Sequence, residues 1–336
     1  MNGRVVPELR TDWLTGRTVI LAENRANRPN EFAPESAASA SPDRPVVCPF
    51  CAGHESETPP AVDSRIDEEG RWRVRVVPNM YPAVNLPPND VRAIPEVADK
   101  SVAALGAHEV IIESARHLER TSALTIAELS EVLAVYSGRL GYWHDDGRFE
   151  YGLVFKNVGR WAGASLSHLH SQLIALSQLP AAVADEYQRA EQHYARNQRC
   201  AYCDLIKRER ETEERIVFDS DGFIAFCPYV SLQPCEVWLL PTDHEPWFER
   251  QPGTDAVDRL AALLRPLLAR IEAIVPQAAY NMLVRTAPWR SDAARCGHWR
   301  IEILPRVNPL AGFEMATGIH INPISPTRAA EQLRSS

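Results

Sequence analysis

The sequence predicts an α+β protein of two tandem halves, residues 1–178 and 179–336, each an antiparallel sheet with helices packed on it. Three observations predict it. One order of elements (two or three strands, a helix, two strands) can be read twice along the chain. Each reading opens on a Cys-x-x-Cys pair, Cys48/Cys51 in the first and Cys200/Cys203 in the second. Each also carries histidines at matching places: His117 and His168 lie 51 residues apart, His244 and His298 lie 54 apart.

The elements follow in order. The Ala/Ser/Pro-rich stretch APESAASASPDRP before Cys48 is expected to be an exposed loop. After Cys51 the runs WRVRVVPNMYPAV and HEVIIESARH read as strands, rich in β-branched residues. IAELSEVLAVYSGRLGYW has helical apolar spacing, and EYGLVFKNVG and SHLHSQLIAL read as the two closing strands. SQLPAAVADEYQRAEQHYARNQR joins the copies as a helix entered after Pro180. In the second copy, ERIVFDSDGFIAFCPYV gives two strands about an Asp-Ser-Asp-Gly turn, and CEVWLLPTDH a third. TDAVDRLAALLRPLLARIEAIV is the helix; AAYNMLVRTAP and GHWRIEILPR are the last two strands.

Composition bounds the function. The 336 residues are 45% apolar and 24% charged, with net charge −8, which argues against nucleic acid or an anionic membrane as a bulk electrostatic partner. No apolar run approaches a membrane span and the N-terminus has no signal core, so a cytoplasmic location is expected. In a reducing compartment the seven cysteines are not read as disulfides. A single Cys-x-x-Cys pair could equally be a redox motif. Two pairs, each followed by histidines, favour zinc, with two thiolates from the pair and two ligands from elsewhere in the same half.

SHLHSQ carries the chemistry. Period two places His168, His170 and Gln172 on one face of an extended segment. With His168 a metal ligand, His170 is left over. At the matching places the second copy keeps His298 but has Arg300 and Glu302 in place of the other two. Metal positions retained twice and the extra histidine once suggest structure in both halves and chemistry in one. His170 is the candidate nucleophile or general base. Arg300 stays protonated and cannot serve as a nucleophile; pairing with Glu302 or an acidic neighbour is its expected role, with reach towards a phosphate the alternative. Upstream, NVGRWAGASLSH places Asn157, Gly163 and Ser165 before the histidines, where glycine backbone and small polar residues can cradle phosphate. Attack of a neutral imidazole at phosphorus is the reaction this favours.

These residues carry a family resemblance over nearly the whole chain. RPNEF, CPFCAGHESETP, HEVIIESARH, FKNVGRWAGASLSHLHSQ, FIAFCPYVSLQPCEVWLLPTDH and GFEMATGIHINPISPTRAAEQLR resemble the galactose-1-phosphate uridylyltransferases, the two-domain nucleotidyltransferase branch of the histidine triad superfamily. The resemblance implies two histidine-triad-like halves, a homodimer and a ping-pong nucleotidyl transfer. In it His170 takes UMP from UDP-glucose and passes it to galactose-1-phosphate. It implies that Gln172 hydrogen-bonds the covalent intermediate and the His168 carbonyl orients the imidazole. It places Asn79 at the nucleoside, Asn157 and Ser165 at the phosphates, and Glu314 and His320 at the hexose. Two zinc ions are expected, on Cys48, Cys51, His117 and His168 and on Cys200, Cys203, His244 and His298. The chain reads H-L-H-S-Q where better-known members read H-P-H-G-Q. Its second Cys/His set and HWRIEILPR resemble instead the ADP-glucose phosphorylase branch. The alternative function is therefore adenylyl transfer from ADP-glucose to phosphate; a non-catalytic zinc or nucleotide-binding module is a third reading.

Overall fold

The computed structural model describes residues 7–23, 48–86, 96–97, 101–102, 104–250, 253–289, 292–307 and 311–335. The loop expected over residues 33–45 and the RPNEF segment lie outside the described residues.

Alternating apolar runs form the strands. The chain opens with β1 (Glu8–Thr11) and β2 (Thr18–Leu21), a hairpin whose turn is tied by Asp12 Oδ1 accepting the Leu14 and Thr15 amides. The first repeat is β3 (Asp63–Ile66), β4 (Trp72–Pro78), the two-residue pair β5 (Glu96–Val97) and β6 (Ser101–Val102), then β7 (Gly106–Ile112), helix α1 (Ile126–Asp146), β8 (Tyr151–Val158) and β9 (His170–Leu176). Helices α2 (Ala181–Asn197) and α3 (Ala201–Thr212) connect to the second repeat. That repeat is β10 (Ile216–Ser220), β11 (Phe223–Phe226), β12 (Val237–Pro241), α4 (Gly253–Ile274), β13 (Tyr280–Arg285) and β14 (Arg300–Pro305). The chain closes with α5 (Gly312–Thr317), β15 (His320–Asn322) and α6 (Pro326–Ser335). Local chemistry fixes the ends of α1: Thr125 and Glu128 form a capping box, and Gly147 ends the helix at φ 72°. Pro180 caps α2, as its sequence predicts.

The expected α+β architecture is present, with one addition. The two antiparallel sheets do not stand apart: β8 pairs with β13 and fuses them into one ten-stranded sheet. Its order, β10-β11-β12-β14-β13-β8-β9-β7-β4-β3, runs through the same succession from each edge to the centre, which is the duplication seen in space. One face carries α1, α4 and α6 over a core shared by both repeats, including Leu133, Leu140, Leu173, Leu264, Leu268, Ile301 and Leu333. The other face differs between repeats. Over the second it is covered by β1, β2, α2 and α3, around Leu14, Ala190, Tyr202, Ile206 and Trp238. Over the first it carries, among the described residues, a small cluster, Val77, Val110 and Ile112 with Phe50 and Trp72 packed on it. The open face of the first repeat is where His170 and Gln172 sit.

Candidate functional site

Two Cys/His clusters stand at equivalent places in the repeats. Cys48, Cys51, His117 and His168 bring one donor atom each to within 4.8 Å of one another, and so do Cys200, Cys203, His244 and His298. All four imidazoles are oriented alike. The Nε2 of His168 donates to Ser114 O (2.8 Å), of His244 to Ala294 O (2.9 Å) and of His298 to Pro241 O (3.0 Å), while that of His117 meets Ser167 Oγ (3.2 Å). Fixing the proton on Nε2 turns an unprotonated Nδ1 toward the thiols. In the first cluster Nδ1 lies 3.5 and 3.6 Å from the Cys48 and Cys51 sulfurs for His168, and 3.4 Å from Cys51 for His117. In the second, Cys203 Sγ is 3.6 Å from His244 Nδ1 and 3.9 Å from His298 Nδ1. Tetrahedral zinc with bonds near 2.0 and 2.3 Å sets sulfur and nitrogen about 3.5 Å apart. The donor sets fit that ion. Among the described residues no other such cluster is found.

His168 and His298 each lie two residues ahead of the strand, which begins at His170 or Arg300. From the turn that brings His168 to its cluster, the chain enters β9 with His170 and Gln172 on the open face and Ser171 and Leu173 against the core. His170 Nδ1 donates to the His168 carbonyl at 2.8 Å, so the Nε2 lone pair is the reactive end of the ring. Burial pushes the His170 pKa down, against the His168 carbonyl, and the Lys156 charge adds to the fall, so the ring is held neutral. Phe50, from the Cys48–Cys51 loop, packs edge-on to His170 with centroids 5.2 Å apart. The Cys48–Cys51 loop thus forms one wall beside His170. Behind it, on the core side, lies an ion pair that sequence reasoning missed: fully buried Lys156 and Glu113, the latter also accepting from the Tyr136 and Ser171 hydroxyls (2.5 Å each).

Gln172 Oε1 accepts from Asn79 Nδ2 (3.2 Å) and from His108 Nε2 (2.8 Å). Asn79 is thereby brought to Gln172. His108 is a site residue absent from the sequence reading, though its place two residues before Val110 in the strand HEVII was legible. Asn157 Oδ1 accepts from Asn281 Nδ2 (2.7 Å), which also reaches Ala162 O (2.9 Å), while Arg306 Nε donates to Asn281 Oδ1 (2.5 Å). The loop from Gly159 to Ser165 turns back on itself through Gly159 and Gly163, at φ 78° and 86°. A side chain at Gly159 would meet Ala279 at 3.0 Å, so glycine is required there by both conformation and space. Ser165 is exposed on this loop.

The second repeat puts something else at the equivalent place. Arg300 Nε donates to Glu302 Oε1 (2.8 Å), and Arg300 Nη1 lies 2.7 Å from Glu186 Oε1 and 3.1 Å from Tyr202 OH. Arg285 joins Glu186 (3.0 Å) and Glu302 (3.2 Å), and Arg17 joins Glu302 (2.7 Å) and Glu236 (3.3 Å). The expected Arg300–Glu302 pairing is thus one edge of a larger buried network. Burial alone would raise both carboxylates, but the arginines outweigh it, holding Glu186 down at about 2 and Glu302 far below the ordinary range. Helices α2 and α3 pack over this surface, and where the first repeat has the His170 imidazole it carries the Arg300 guanidinium, already paired.

Glu314, in α5, and His320, at the start of β15, lie near each other. Glu314 caps α5 by accepting from the Ala311 amide (3.2 Å), and His320 Nδ1 meets Gln233 Nε2 (3.3 Å) in β15, which pairs with β2. Neither shares a hydrogen bond, ion pair or ring contact with His170 or Gln172 among the described residues.

Residues 2–180 match the family described as galactose-1-phosphate uridyl transferase, N-terminal domain, and residues 105–336 match a domain of unknown function, DUF4921. The chain is 32% identical to the ADP-glucose phosphorylase of Arabidopsis thaliana, over 98% of its own length and 92% of that protein's. It is 25% identical to the galactose-1-phosphate uridylyltransferase of Thermotoga maritima, over 98% of each. Its fold superposes on the crystal structure of an ADP-glucose phosphorylase from Arabidopsis thaliana with bound ADP-glucose (TM-score 0.83, 30% identity, 98% of this chain and 99% of that one). It shares the fold of a uridylyltransferase structure as well (TM-score 0.72, 24% identity, 98% of each chain).

Proposed function

The chain belongs to the galactose-1-phosphate uridylyltransferase family of nucleotidyl-transferring enzymes, and from that premise we propose that it transfers AMP from ADP-glucose to phosphate by way of His170. The observation that carries the chemistry is the His170 ring, neutral and with Nδ1–H spent on the His168 carbonyl at 2.8 Å, which leaves Nε2 facing the open side of the sheet. Nε2 attacks the α-phosphorus; the P–N bond forms as the bond to the glucose-1-phosphate oxygen breaks, and glucose-1-phosphate leaves. The imidazole now carries a positive charge, which the His168 carbonyl stabilises through Nδ1–H. A phosphate oxygen then attacks the same phosphorus, releasing ADP and restoring the neutral ring. The amide NH2 of Gln172 donates to the phosphoryl oxygens, while Asn157, Gly163 and Ser165 line the approach of the phosphates and Asn79 stands at the nucleoside end.

Two features support adenosine over uridine. The likeness to the ADP-glucose phosphorylase spans the whole chain at 32%, against 25% for the uridylyltransferase. The second Cys/His set also resembles that branch. We propose that zinc fills both clusters, as closed four-ligand sites that hold loops against strands and touch no substrate. Residues 1–178 and 179–336 are proposed as the two units, a homodimer as the assembly, and Glu314 and His320 as the residues at the hexose. Transfer of UMP from UDP-glucose to galactose-1-phosphate is the second reading, favoured by the family match over residues 2–180. The test is turnover with each donor and acceptor. ADP-glucose with phosphate should yield ADP and glucose-1-phosphate. Formation of UDP-galactose from UDP-glucose and galactose-1-phosphate as the faster reaction would overturn the adenosine reading; no turnover of any pair would favour a binding module.

A further inference from the structure

We propose that His108 is a positioning residue that fixes which end of the Gln172 amide faces the reacting phosphorus. The inference rests on the reading of His170 as nucleophile and Gln172 as its companion. A glutamine amide has a donor end and an acceptor end of nearly the same shape. Only the NH2 end helps an anionic phosphoryl group, because the carbonyl end would repel it. Something must choose.

The choice is made by the loop after β4. The Ala83 amide donates to His108 Nδ1 at 3.0 Å. A backbone N–H can only donate, so Nδ1 must carry the lone pair, and the proton of the neutral ring sits on Nε2. Burial lowers the His108 pKa, more than the Gln172 bond raises it, in keeping with that neutral form. Nε2–H then donates to Gln172 Oε1 at 2.8 Å. Asn79 repeats the logic: its Oδ1 accepts the Tyr81 amide at 2.8 Å, which identifies its other end as NH2, and that end donates to the same Gln172 oxygen at 3.2 Å. The 3.0 Å approach of Asn79 Nδ2 to His108 Nε2 is two donors converging on one acceptor. Two backbone amides thus dictate two side-chain donors, and both lone pairs of Gln172 Oε1 are taken. The NH2 group is what remains, on the strand face Gln172 shares with His170. The register supports the reach: in the neighbouring strand β7, Val110 stands opposite Gln172 and His108 opposite Ile174, one step along the same face.

The test is a mutant cycle read by single-turnover formation of the nucleotidyl adduct from ADP-glucose. His108→Leu removes the donor; its adduct rate should fall about tenfold to hundredfold, with half-saturating ADP-glucose changed less than about threefold, as expected when a group acts in the transition state. In a Gln172→Ala background the same substitution should have no further effect, because its target is gone. Two milder variants keep the test alive if the leucine variant does not fold. His108→Gln can place an amide N–H where Nε2–H was and should recover most of the rate; His108→Asn, too short to reach Gln172, should not. Wild-type-like rates for His108→Leu or His108→Asn, or equal slowing by His108→Leu in both backgrounds, would overturn the proposal. A wild-type protein that forms no adduct with either ADP-glucose or UDP-glucose would overturn the His170 reading, and this inference with it; an adduct from UDP-glucose alone moves the same cycle to that donor.

Discussion

Replacing Arg300 by methionine removes the central cation of the buried network in the second repeat, and the geometry sets the cost. The guanidinium is 2% exposed and lies between Glu186 (2.7 Å) and Glu302, 2.8 Å from the latter through Nε. Its Nη2 approaches the same Glu302 oxygen to 2.6 Å without being aligned to hydrogen-bond it. Removing one partner of a buried pair costs about 3–5 kcal/mol, mostly the desolvation of the charge left behind. Here neither carboxylate is abandoned: Glu186 keeps Arg285 at 3.0 Å, and Glu302 keeps Arg17 at 2.7 Å and Arg285 at 3.2 Å. Methionine also fills the space over Trp238 and Tyr202, where the guanidinium now packs at 4.7 and 5.4 Å from the ring centres. The loss should therefore fall at the low end, about 3 kcal/mol. For a chain of this length the unfolding entropy is about 0.7 kcal/mol per degree, so the melting midpoint should drop by about 4 °C. The pH dependence follows from the signs. Both carboxylates are depressed in the folded protein, Glu186 to about 2, so their contribution is complete above the unfolded carboxylate range and is lost as pH falls through the folded values. The gap between wild type and variant should be widest near neutral pH, begin to narrow below about pH 4 and close only as pH falls through the folded values. Thermal unfolding and urea titration at pH 7 and pH 3.5 measure it. A loss under about 1 kcal/mol at pH 7, the size of an exposed pair, would refute the buried-network account.

The other predictions concern the first repeat. His168→Ala should lose bound metal and lower the melting midpoint, whereas His170→Ala should keep both and lose the nucleotidyl adduct; metal analysis alongside intact mass separates them. Lys156→Met should cost about 3–5 kcal/mol by leaving the buried Glu113 carboxylate with hydroxyl donors only, and the double change with Glu113→Gln should recover much of that in urea unfolding. Stripping metal with a chelator should abolish adduct formation as well as lower stability, because the Cys48–Cys51 loop holds Phe50 against His170. Retained activity in a metal-free, folded protein would break that link.

Much of this was legible because the duplication writes each signal twice. The Cys-x-x-Cys pairs and the histidines at 117, 168, 244 and 298 meet in space as their spacing implies. Strand alternation from Tyr151 and from His170 survives into the burial pattern, polar Gln172 on one face and Leu173 on the other. Fusion of the halves was not legible. The pairing of β8 with β13 depends on backbone edges meeting, and both strands read the same whether an edge is free or joined. Helix α3 was missed because its buried stripe is short, Ala201, Tyr202 and Ile206, inside a charged run. His108, Lys156 and Glu113 were missed for another reason. Each is a polar residue in or just beyond a largely apolar strand, and only three-dimensional neighbours reveal its partner.

The most direct test of the account is intact mass after incubation with ADP-glucose and no acceptor, followed by peptide mapping. One AMP unit per chain is expected, attached at His170, removed on adding phosphate and absent from His170→Ala. No adduct on the metal-loaded wild-type protein with either ADP-glucose or UDP-glucose, two per chain, or one mapped to residues 285–305 would contradict it.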